Sequence, residues 1–273
     1  MHVEDIRRID GRVDRRWAAD ALISRIADGV GCDRGAWETA LRGCGLPVEG
    51  AYRVLAVAAG AGDGERGGAG VAVGLGEALE RWGAGALVVG VGADGDVVGV
   101  VSDGDGEGAG ALWGRFKEEW ARFWGDRPGD AAPHVGVSGV VRASEGLAGG
   151  LVQARYALTV ARNTSPDTAH ATLTDDLCTV KALLAGVPED VRAAYRAKTL
   201  GPLVGAGSAA HRVLLETLEV FLAHNCSWAR TAEALRLHVN TVHYRVRRIQ
   251  ELVGRDVSRL EHALDLRAAL LCG

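Results

Sequence analysis

The residues with the clearest chemical potential lie in the stretch 227–254, near the carboxy-terminal end of the chain. If residues 238–253 form a helix, its period of 3.6 residues places several polar side chains on one face. These are Asn240, Tyr244 and Arg247, with Thr241 and Arg248 beside them. An amide can pair with adenine through two hydrogen bonds, and a guanidinium group can pair with guanine or bind phosphate. This spacing therefore indicates a surface suited to a polyanion.

Positive charge is concentrated in the same region. Residues 227–259 contain seven arginines and three acidic residues, a net charge of +4, whereas the whole chain of 273 residues carries −4. A local excess of arginine in an acidic protein is the electrostatic pattern of a nucleic-acid-binding surface. The alternative is an ordinary pair of antiparallel helices with a solvated charged face, since charge runs alone are weak evidence.

Two helices and a tight turn would hold this surface in place. Ser227 is a suitable N-cap for a first helix over residues 228–235. The turn at Arg236 and Leu237 lacks glycine, and a non-glycine residue is accommodated there if the turn avoids positive φ. The second helix would begin near His238 and end at Gly254, with an apolar face opposite the polar one. That apolar face consists of Val242, Val246, Ile249 and Val253.

Two further helices complete the predicted bundle. An amphipathic helix over residues 209–224 supports the pair. After Gly254, Ser258 and Glu261 have the spacing of a capping box, which predicts a last helix with an inward-facing apolar side. Its inward residues would be Leu260, Leu264 and Leu271.

This stretch resembles the carboxy-terminal helix-turn-helix of PucR/CdaR-type bacterial transcription regulators. The resemblance rests on the pattern H-x-N-T-(aliphatic)-x-Y-R, formed here by His238, Asn240, Thr241, Val242, Tyr244 and Arg245. Val239 and His243 stand where the family often has arginine. The resemblance implies double-stranded DNA as partner. A single reader of this size usually needs two-fold symmetry to reach useful affinity, so we expect a homodimer on a repeated or palindromic site. A small-molecule effector is left open, and the sequence does not identify one.

We expect seven residues to contact DNA. They are Asn240, Thr241, His243, Tyr244, Arg245, Arg247 and Arg248. By our hypothesis Asn240 reads a base edge, while Tyr244 and Arg247 contribute base or phosphate contacts. Thr241, Arg245 and Arg248 would position the DNA backbone.

The chain as a whole predicts a cytosolic protein without metal or cofactor. Its hydrophobic content of 48% and charged content of 24% are ordinary for a globular protein. There is no secretory signal pattern and no run of about twenty apolar residues that could span a membrane. The five cysteines are widely spaced, with no C-x-x-C pair, which argues against a disulfide framework and against metal ligation.

The middle of the chain predicts an antiparallel α+β domain with element order β, α, ββ, α, β, α, β. Its central hairpin joins strands at 86–92 and 96–102 across Asp94-Gly95. This order resembles the degenerate GGDEF-like domain of the same family. A working diguanylate cyclase carries its signature on that turn, and this chain has G-A-D-G-D at 92–96. The resemblance therefore does not imply cyclase activity, and we assign no catalytic residue.

Three other motifs in this domain favour structural interpretations. The glycines at 90, 92 and 95 match G-x-G-x-x-G, but a strand follows them instead of the helix that a dinucleotide site requires. The acidic loop 102–110 resembles part of a calcium loop without its distal glutamate, so we expect a solvated loop. Ser138 lacks the second glycine of a nucleophile elbow, so we assign it to a strand over 133–141.

Further elements follow from periodicity. Residues 4–28 have a helical seam that includes Ile6, Ile9, Val13, Trp17, Leu22 and Ile26. This seam packs on its own domain or, alternatively, couples two subunits. A glycine-rich loop is expected at 60–70 and a helix at 76–82. Helices are also expected at 34–42, 112–124, 144–162, 177–185 and 188–204, with an edge strand at 170–173.

The predicted organisation has four segments: a helical lead (1–49), the GGDEF-like domain (50–175), a helical connector (176–207) and an all-α helix-turn-helix domain (208–273). The function that fits best is a sequence-specific DNA-binding transcription regulator. Two alternatives remain open: a ligand-sensing or protein-interaction module with a vestigial helix-turn-helix, and a nucleotide-handling enzyme built on the middle domain.

Overall fold

The computed structural model describes residues 17–29, 34–58, 64–92, 94–103, 107–125, 133–142, 146–205 and 208–273. The chain divides into two compact units, Met1–Cys178 and Thr179–Gly273. No helix in these ranges is both long enough and apolar enough to cross a membrane. The predicted bounds of the four segments stay predictions.

The first unit is built on a five-stranded sheet with strand order β2-β3-β1-β4-β5. The strands are β1 (Ala51–Val57), β2 (Leu87–Val91), β3 (Val97–Asp103), β4 (Val135–Val137) and β5 (Ala171–Leu173). The helices are α1 (17–28 in the described part), α2 (Arg34–Gly43), α3 (Gly64–Arg81), α4 (Glu107–Gly125) and α5 (Leu147–Thr164). The predicted element order is confirmed, as is the mixed α/β class of this domain.

One strand pair departs from the predicted antiparallel sheet. The pairs β1–β3, β1–β4 and β2–β3 are antiparallel, with Leu55 opposite Gly99 and Val137. β5, by contrast, runs parallel to β4, so that Val135 lies opposite Ala171. The reason is the connection: α5 crosses over between the two strands, and a helical crossover returns the chain in the same direction.

The sheet is covered on both faces, which explains why every residue of β1 is buried. Tyr52 and Val54 belong to a core shared with α1, α2 and α5. Leu55 and Val57 belong to a second core, shared with α3 and α4. Because successive side chains of a strand point to opposite faces, one apolar strand serves both cores.

The amino-terminal seam packs partly as predicted. Leu22, Ile23 and Ile26 are buried in the first core, so this part of the seam packs on its own domain. Trp17 is 73% exposed, which contradicts its predicted place in the seam. At 100° per residue it lies almost opposite the buried stripe of α1. Ile6, Ile9 and Val13 lie outside the described residues.

Two glycine-rich segments predicted as loops are partly helical. α3 begins at Gly64, well before the expected start at 76. A Cβ on Gly68 would lie 3.6 Å from the Gly95 carbonyl oxygen, an ordinary van der Waals distance, so this part of the helix packs beside the central hairpin. α4 likewise begins at Glu107 instead of 112. Packing against the sheet outweighs the low helix propensity of glycine here. Residues 60–63 lie outside the described part.

Asp103 is not the solvated loop residue that the sequence predicts. It ends β3 and is 7% exposed. Its carboxylate accepts hydrogen bonds from Arg53 Nε (3.1 Å) and Trp113 Nε1 (2.9 Å). Arg53 Nη1 also donates to the Ser138 carbonyl oxygen (3.0 Å) and to Asp175 (2.8 Å). This buried network joins β1, β3, α4 and the segment that follows β5.

The second unit is all-helical, as predicted for the carboxy-terminal region. Its helices are α6 (Val180–Ala185), α7 (Glu189–Leu200), α8 (Ala209–Ala223), α9 (Trp228–Leu235), α10 (Val239–Val253) and α11 (Leu260–Leu271). A short 3-10 turn, Gly201–Leu203, follows α7. Residues of this turn and of α8 to α11 share one core, which includes Leu203, Leu218, Phe221 and Leu266.

The predicted inward face of α11 is wrong. Leu260 and Leu264 are 74% and 56% exposed, while Leu266 and Ala269 are buried. The predicted capping box is also absent, because α11 has Arg259 as N-cap without a side-chain hydrogen bond. Ser258 is engaged elsewhere: its backbone N–H donates to Asp256 Oδ1 (2.9 Å). The start of the helix therefore shifts relative to the predicted cap.

Candidate nucleic-acid interface

α8 is the platform for the helix-turn-helix. It begins at Ser208, whose hydroxyl oxygen accepts a hydrogen bond from the His211 backbone N–H (3.2 Å). Leu214, Leu218 and Phe221 are buried against the following helices. Because apolar side chains at three- and four-residue steps form one stripe, α8 presents a continuous apolar surface to α9 and α10.

α9 begins and ends where the sequence predicts. Ser227 is its N-cap, with the hydroxyl oxygen 3.5 Å from the Arg230 backbone nitrogen. The helix ends at Leu235, and its C-cap residue Arg236 has φ 55° and ψ 42°, the left-handed conformation. The turn therefore does not avoid positive φ, the condition that the sequence suggested for a residue other than glycine. Leu237 N–H donates to the Ala232 carbonyl (2.8 Å) and closes the turn. This hydrogen bond is typical of helix ends with a glycine in the left-handed position, which here is occupied by an arginine.

α10 also has the predicted bounds. His238 precedes it, and its Nδ1 accepts a hydrogen bond from the Asn240 backbone N–H (3.2 Å). Gly254 ends the helix at φ 67°. On the inner face Val242, Val246 and Ile249 are each 0% exposed. This apolar stripe fixes the rotation of α10 about its axis, and so decides which side chains point outward.

The outer face of α10 displays the polar residues that the sequence places there. Asn240 is exposed, Tyr244 is 71% exposed, and the Arg247 side chain is 84% exposed. At positions i, i+4 and i+7 these three share one stripe of the helix. We name Asn240, Tyr244 and Arg247 the outer stripe. Its two ends carry an amide near the helix amino terminus and a guanidinium group two turns later.

Other predicted contact residues make contacts within the protein. Arg245 is half-buried, and its Nη1 donates to Thr217 Oγ1 on α8 (3.2 Å). His243 stacks on Trp228, with ring centroids 4.0 Å apart and an interplanar angle of 13°. These two contacts tie α10 to α8 and α9. Thr241 is half-buried at the edge of the outer stripe.

Sequence reasoning missed one residue of this surface, Glu251. It lies one turn beyond Arg247 in line with the outer stripe. Its Oε1 is 3.5 Å from Arg247 Nε, and its Oε2 accepts from Arg248 Nη1 (3.0 Å). The spacings i, i+4 and i, i+3 are those of helix ion pairs, so the signal was present in the sequence.

Asp256 organises the turn that follows α10. Its Oδ1 accepts hydrogen bonds from the Ser258 backbone N–H (2.9 Å) and Gln250 Nε2 (3.2 Å). The side-chain and backbone hydrogen bonds from Ser258 hold the pKa of Asp256 below its usual value. The Asp256 backbone N–H in turn donates to His262 Nδ1 on α11 (3.0 Å). α10 is thus anchored at its carboxy-terminal end as well as along its inner face.

The hairpin of the first unit was the other candidate site. Gly95 has φ 85°, and its N–H donates to the Gly92 carbonyl (3.0 Å), which closes the turn. Asp94 forms an ion pair with Arg155 of α5. Burial, followed by the nearby Asp94 carboxylate, raises the pKa of Asp96. Residue 93 lies outside the described part, and the described residues contain no group of three or more metal-ligand side chains.

This geometry defines a class: a helix-turn-helix protein with an exposed polar second helix, preceded by an α/β domain. Comparisons with known proteins identify the family within this class. A model of the PucR C-terminal helix-turn-helix domain matches residues 214–272. A GGDEF-like domain model matches residues 16–160, and this second match alone covers just over half of the chain. The chain therefore belongs to the PucR/CdaR-type family of transcription regulators, with a GGDEF-like domain ahead of the helix-turn-helix.

Individual relatives are similar over shorter stretches. An uncharacterised protein of Thermomonospora curvata is 44% identical over 82 residues, which cover 30% of this chain and 44% of that protein. The proline-responsive transcriptional activator PutR of Bacillus subtilis is 38% identical over 76 residues, 26% of this chain and 18% of PutR. The transcriptional activator PmfR of Paenarthrobacter nicotinovorans is 50% identical over 46 residues, 17% of this chain and 10% of PmfR. The chain thus matches less than half the length of each of these relatives.

Proposed function

We propose that this chain regulates transcription by binding double-stranded DNA sequence-specifically through α10. The observation that carries the proposal is the exposure of the outer stripe, opposite a fully buried apolar stripe on the same helix. A recognition helix needs both features, since one face must hold it and the other must enter the major groove. Because such a regulator acts on the chromosome, a cytosolic location is part of the proposal.

Within the interface, we assign base reading to Asn240. It lies near the amino terminus of α10, the end that approaches base edges in helix-turn-helix complexes, and its amide can pair bidentately with adenine. Tyr244 and Arg247 supply base or phosphate contacts further along. Thr241 and Arg248 flank the stripe and bind the DNA backbone.

Arg245 and His243 complete the site mainly by positioning. The Arg245 guanidinium group bonds to Thr217, and the His243 ring stacks on Trp228. Both contacts fix the orientation of α10 on its supporting helices. The remaining N–H groups of Arg245 stay available to a DNA phosphate, because a guanidinium carries five donors.

The test compares Asn240→Ala with the unchanged protein on a selected genomic fragment and on random duplex. We expect a loss of about 1–3 kcal/mol on the selected fragment, or roughly a five- to 150-fold rise in Kd, with little change on random DNA. The reason is that a base contact discriminates between sequences, whereas phosphate contacts do not. An equal loss on both DNAs would mean that Asn240 does not read a base.

We further propose that two copies bind together. A single helix-turn-helix contacts a short half-site, and two-fold symmetry doubles the contacts while matching a palindromic operator. Light scattering of the protein with and without its selected fragment tests this. A mass of one chain under both conditions would remove the dimer from the proposal.

We also propose that the GGDEF-like domain works without catalysis. Its hairpin carries G-A-D-G-D at 92–96 in place of a cyclase signature, and Asp94 is paired with Arg155. The Arg155 guanidinium group therefore competes with a divalent cation for this carboxylate. Incubation with GTP and magnesium or manganese should yield no cyclic dinucleotide, and measurable turnover would refute this part of the proposal.

A further inference from the structure

A cavity of ≈ 260 Å³ opens between the end of α3 and α4 in the GGDEF-like domain. It lies beside the end of α3, on the side of the sheet that carries the second core. Its lining consists of Arg81, Trp82, Leu112, Arg115, Phe116 and Glu119. This volume is near the lower end of the range for ligand pockets and suits a compact ligand of one ring.

The inner part of the cavity is apolar and partly aromatic. Phe116 and Leu112 are buried, and the half-buried Trp82 stands perpendicular to Phe116 with ring centroids 5.4 Å apart. Trp82 also meets Phe123 edge-on at 6.1 Å. Rings held at right angles by neighbours keep their orientation, so the wall is preformed. A planar aromatic ligand would meet the exposed part of the Trp82 ring here.

The rim of the cavity is positively charged. Arg81 and Arg115 are exposed side chains that line it. The guanidinium carbon of Arg81 lies 5.7 Å from the centroid of the Phe123 ring, which holds that side chain beside the cavity. The acidic residue of the lining, Glu119, accepts a hydrogen bond from Arg122 Nη1 (3.2 Å). Its charge is therefore compensated, and the rim favours an anion.

From this combination we propose that the cavity binds a small aromatic carboxylate. The ring would contact Trp82, which Phe116 holds in place from below, and the carboxylate would pair with the rim arginines, whose planar fork suits a carboxylate geometrically. In the regulator proposed above this would be the effector site, and that role alone depends on the proposed function. Ligand binding itself does not depend on DNA binding, so the two can fail separately.

The test uses benzoate as probe in ligand-observed saturation-transfer NMR on the full chain. Benzamide keeps the ring without the charge, and acetate keeps the charge without the ring. We expect benzoate to bind, and both comparison compounds to bind at least about fivefold more weakly, because each lacks one half of the recognition. Arg81→Gln and Arg115→Gln should each weaken benzoate binding about two- to fivefold, the effect expected when an ion pair at an exposed arginine is removed.

Two controls separate the site from general effects. Arg42→Gln removes an exposed arginine of α2, outside the cavity lining, and should leave benzoate affinity unchanged. Asn240→Ala should also bind benzoate normally, whatever it does to DNA binding. The proposal is overturned if benzoate fails to bind at concentrations up to about 10 mM. It is equally overturned if benzamide binds as well as benzoate, or if neither cavity arginine affects the affinity.

Discussion

Glu251→Gln is the substitution that most directly tests the surface of α10. Glu251 shares its carboxylate between Arg247 (3.5 Å) and Arg248 (3.0 Å), and both arginine side chains are more than half exposed. Glutamine keeps the size of the side chain and removes its charge. If these arginines bind DNA, the variant should bind random duplex more tightly, because the guanidinium groups no longer share a carboxylate.

The expected change in the salt dependence of DNA binding follows from the Glu251 charge, which is paired with the two arginines. One carboxylate compensates one positive charge, so its removal corresponds to about one additional neutralised phosphate. The slope of log K against log salt should become steeper by about 0.9. A fourfold rise in salt should therefore weaken the variant about 3.5-fold more than the unchanged protein. Stability should change little, because exposed ion pairs contribute about 0.2–1 kcal/mol each.

The assay is fluorescence anisotropy on a labelled random duplex, repeated at several salt concentrations between about 50 and 200 mM. Glu261→Gln is the matched control. Its side chain is 85% exposed, it pairs loosely with Arg259 (3.8 Å), and it lies on α11. The control removes the same unit of charge away from the outer stripe, so it should leave the slope nearly unchanged.

Two results would refute the reasoning. An unchanged slope in Glu251→Gln would mean that Arg247 and Arg248 do not contact phosphate. An equal steepening in both variants would show that net charge acts at long range, and that the outer stripe has no special part in binding. Steepening in Glu251→Gln alone is the outcome that supports α10 as the DNA-binding helix.

Three further predictions follow from the structure. Arg248→Ala should weaken binding to all sequences alike and flatten the salt slope by about 0.9, and an unchanged slope in the anisotropy titration would count against its phosphate contact. Arg53→Met leaves the Asp103 carboxylate buried without its cationic partner, so urea denaturation should show a loss of about 3–5 kcal/mol. Adding Asp103→Asn should relieve this loss in part, because the buried charge is removed while the Ser138 carbonyl still lacks its donor. No relief would mean that the lost packing and the other Arg53 contacts dominate. Arg236→Gly removes the cost of a left-handed arginine, about 1–2 kcal/mol, but gives the unfolded chain more conformational freedom. We therefore expect thermal unfolding to show a net gain in stability of about 0.5–1 kcal/mol. A loss of stability would show that the arginine side chain stabilises the turn.

The helix-turn-helix was predictable to within a residue because its signals are local. Ser227 and Gly254 mark the two ends, and the valines at 242 and 246 recur at helical spacing. Caps and periodic apolar residues act within one or two turns of chain, so a sequence displays them directly. The strand and helix order of the first unit was predictable for the same reason.

The errors occur where distant parts of the chain decide the outcome. Leu260 and Leu264 have the spacing of a buried stripe, yet the packing of α11 buries Leu266 and Ala269 instead. α3 extends through glycines because its start packs beside the central hairpin. Neither result is encoded in the neighbouring residues, since tertiary contacts can outweigh local propensity.

The amino-acid sequence by itself determined the family, the order of elements and the polar face of α10, because caps, periodicity and charge are local properties. Tertiary structure alone decided that Asp103 is buried with Arg53, 50 positions away. It also decided that Arg245 turns toward Thr217, that Glu251 shares its carboxylate between two arginines, and that a charged aromatic cavity forms between α3 and α4. The physical reason is that burial and charge pairing depend on which elements meet in space, and spacing along the chain does not specify this.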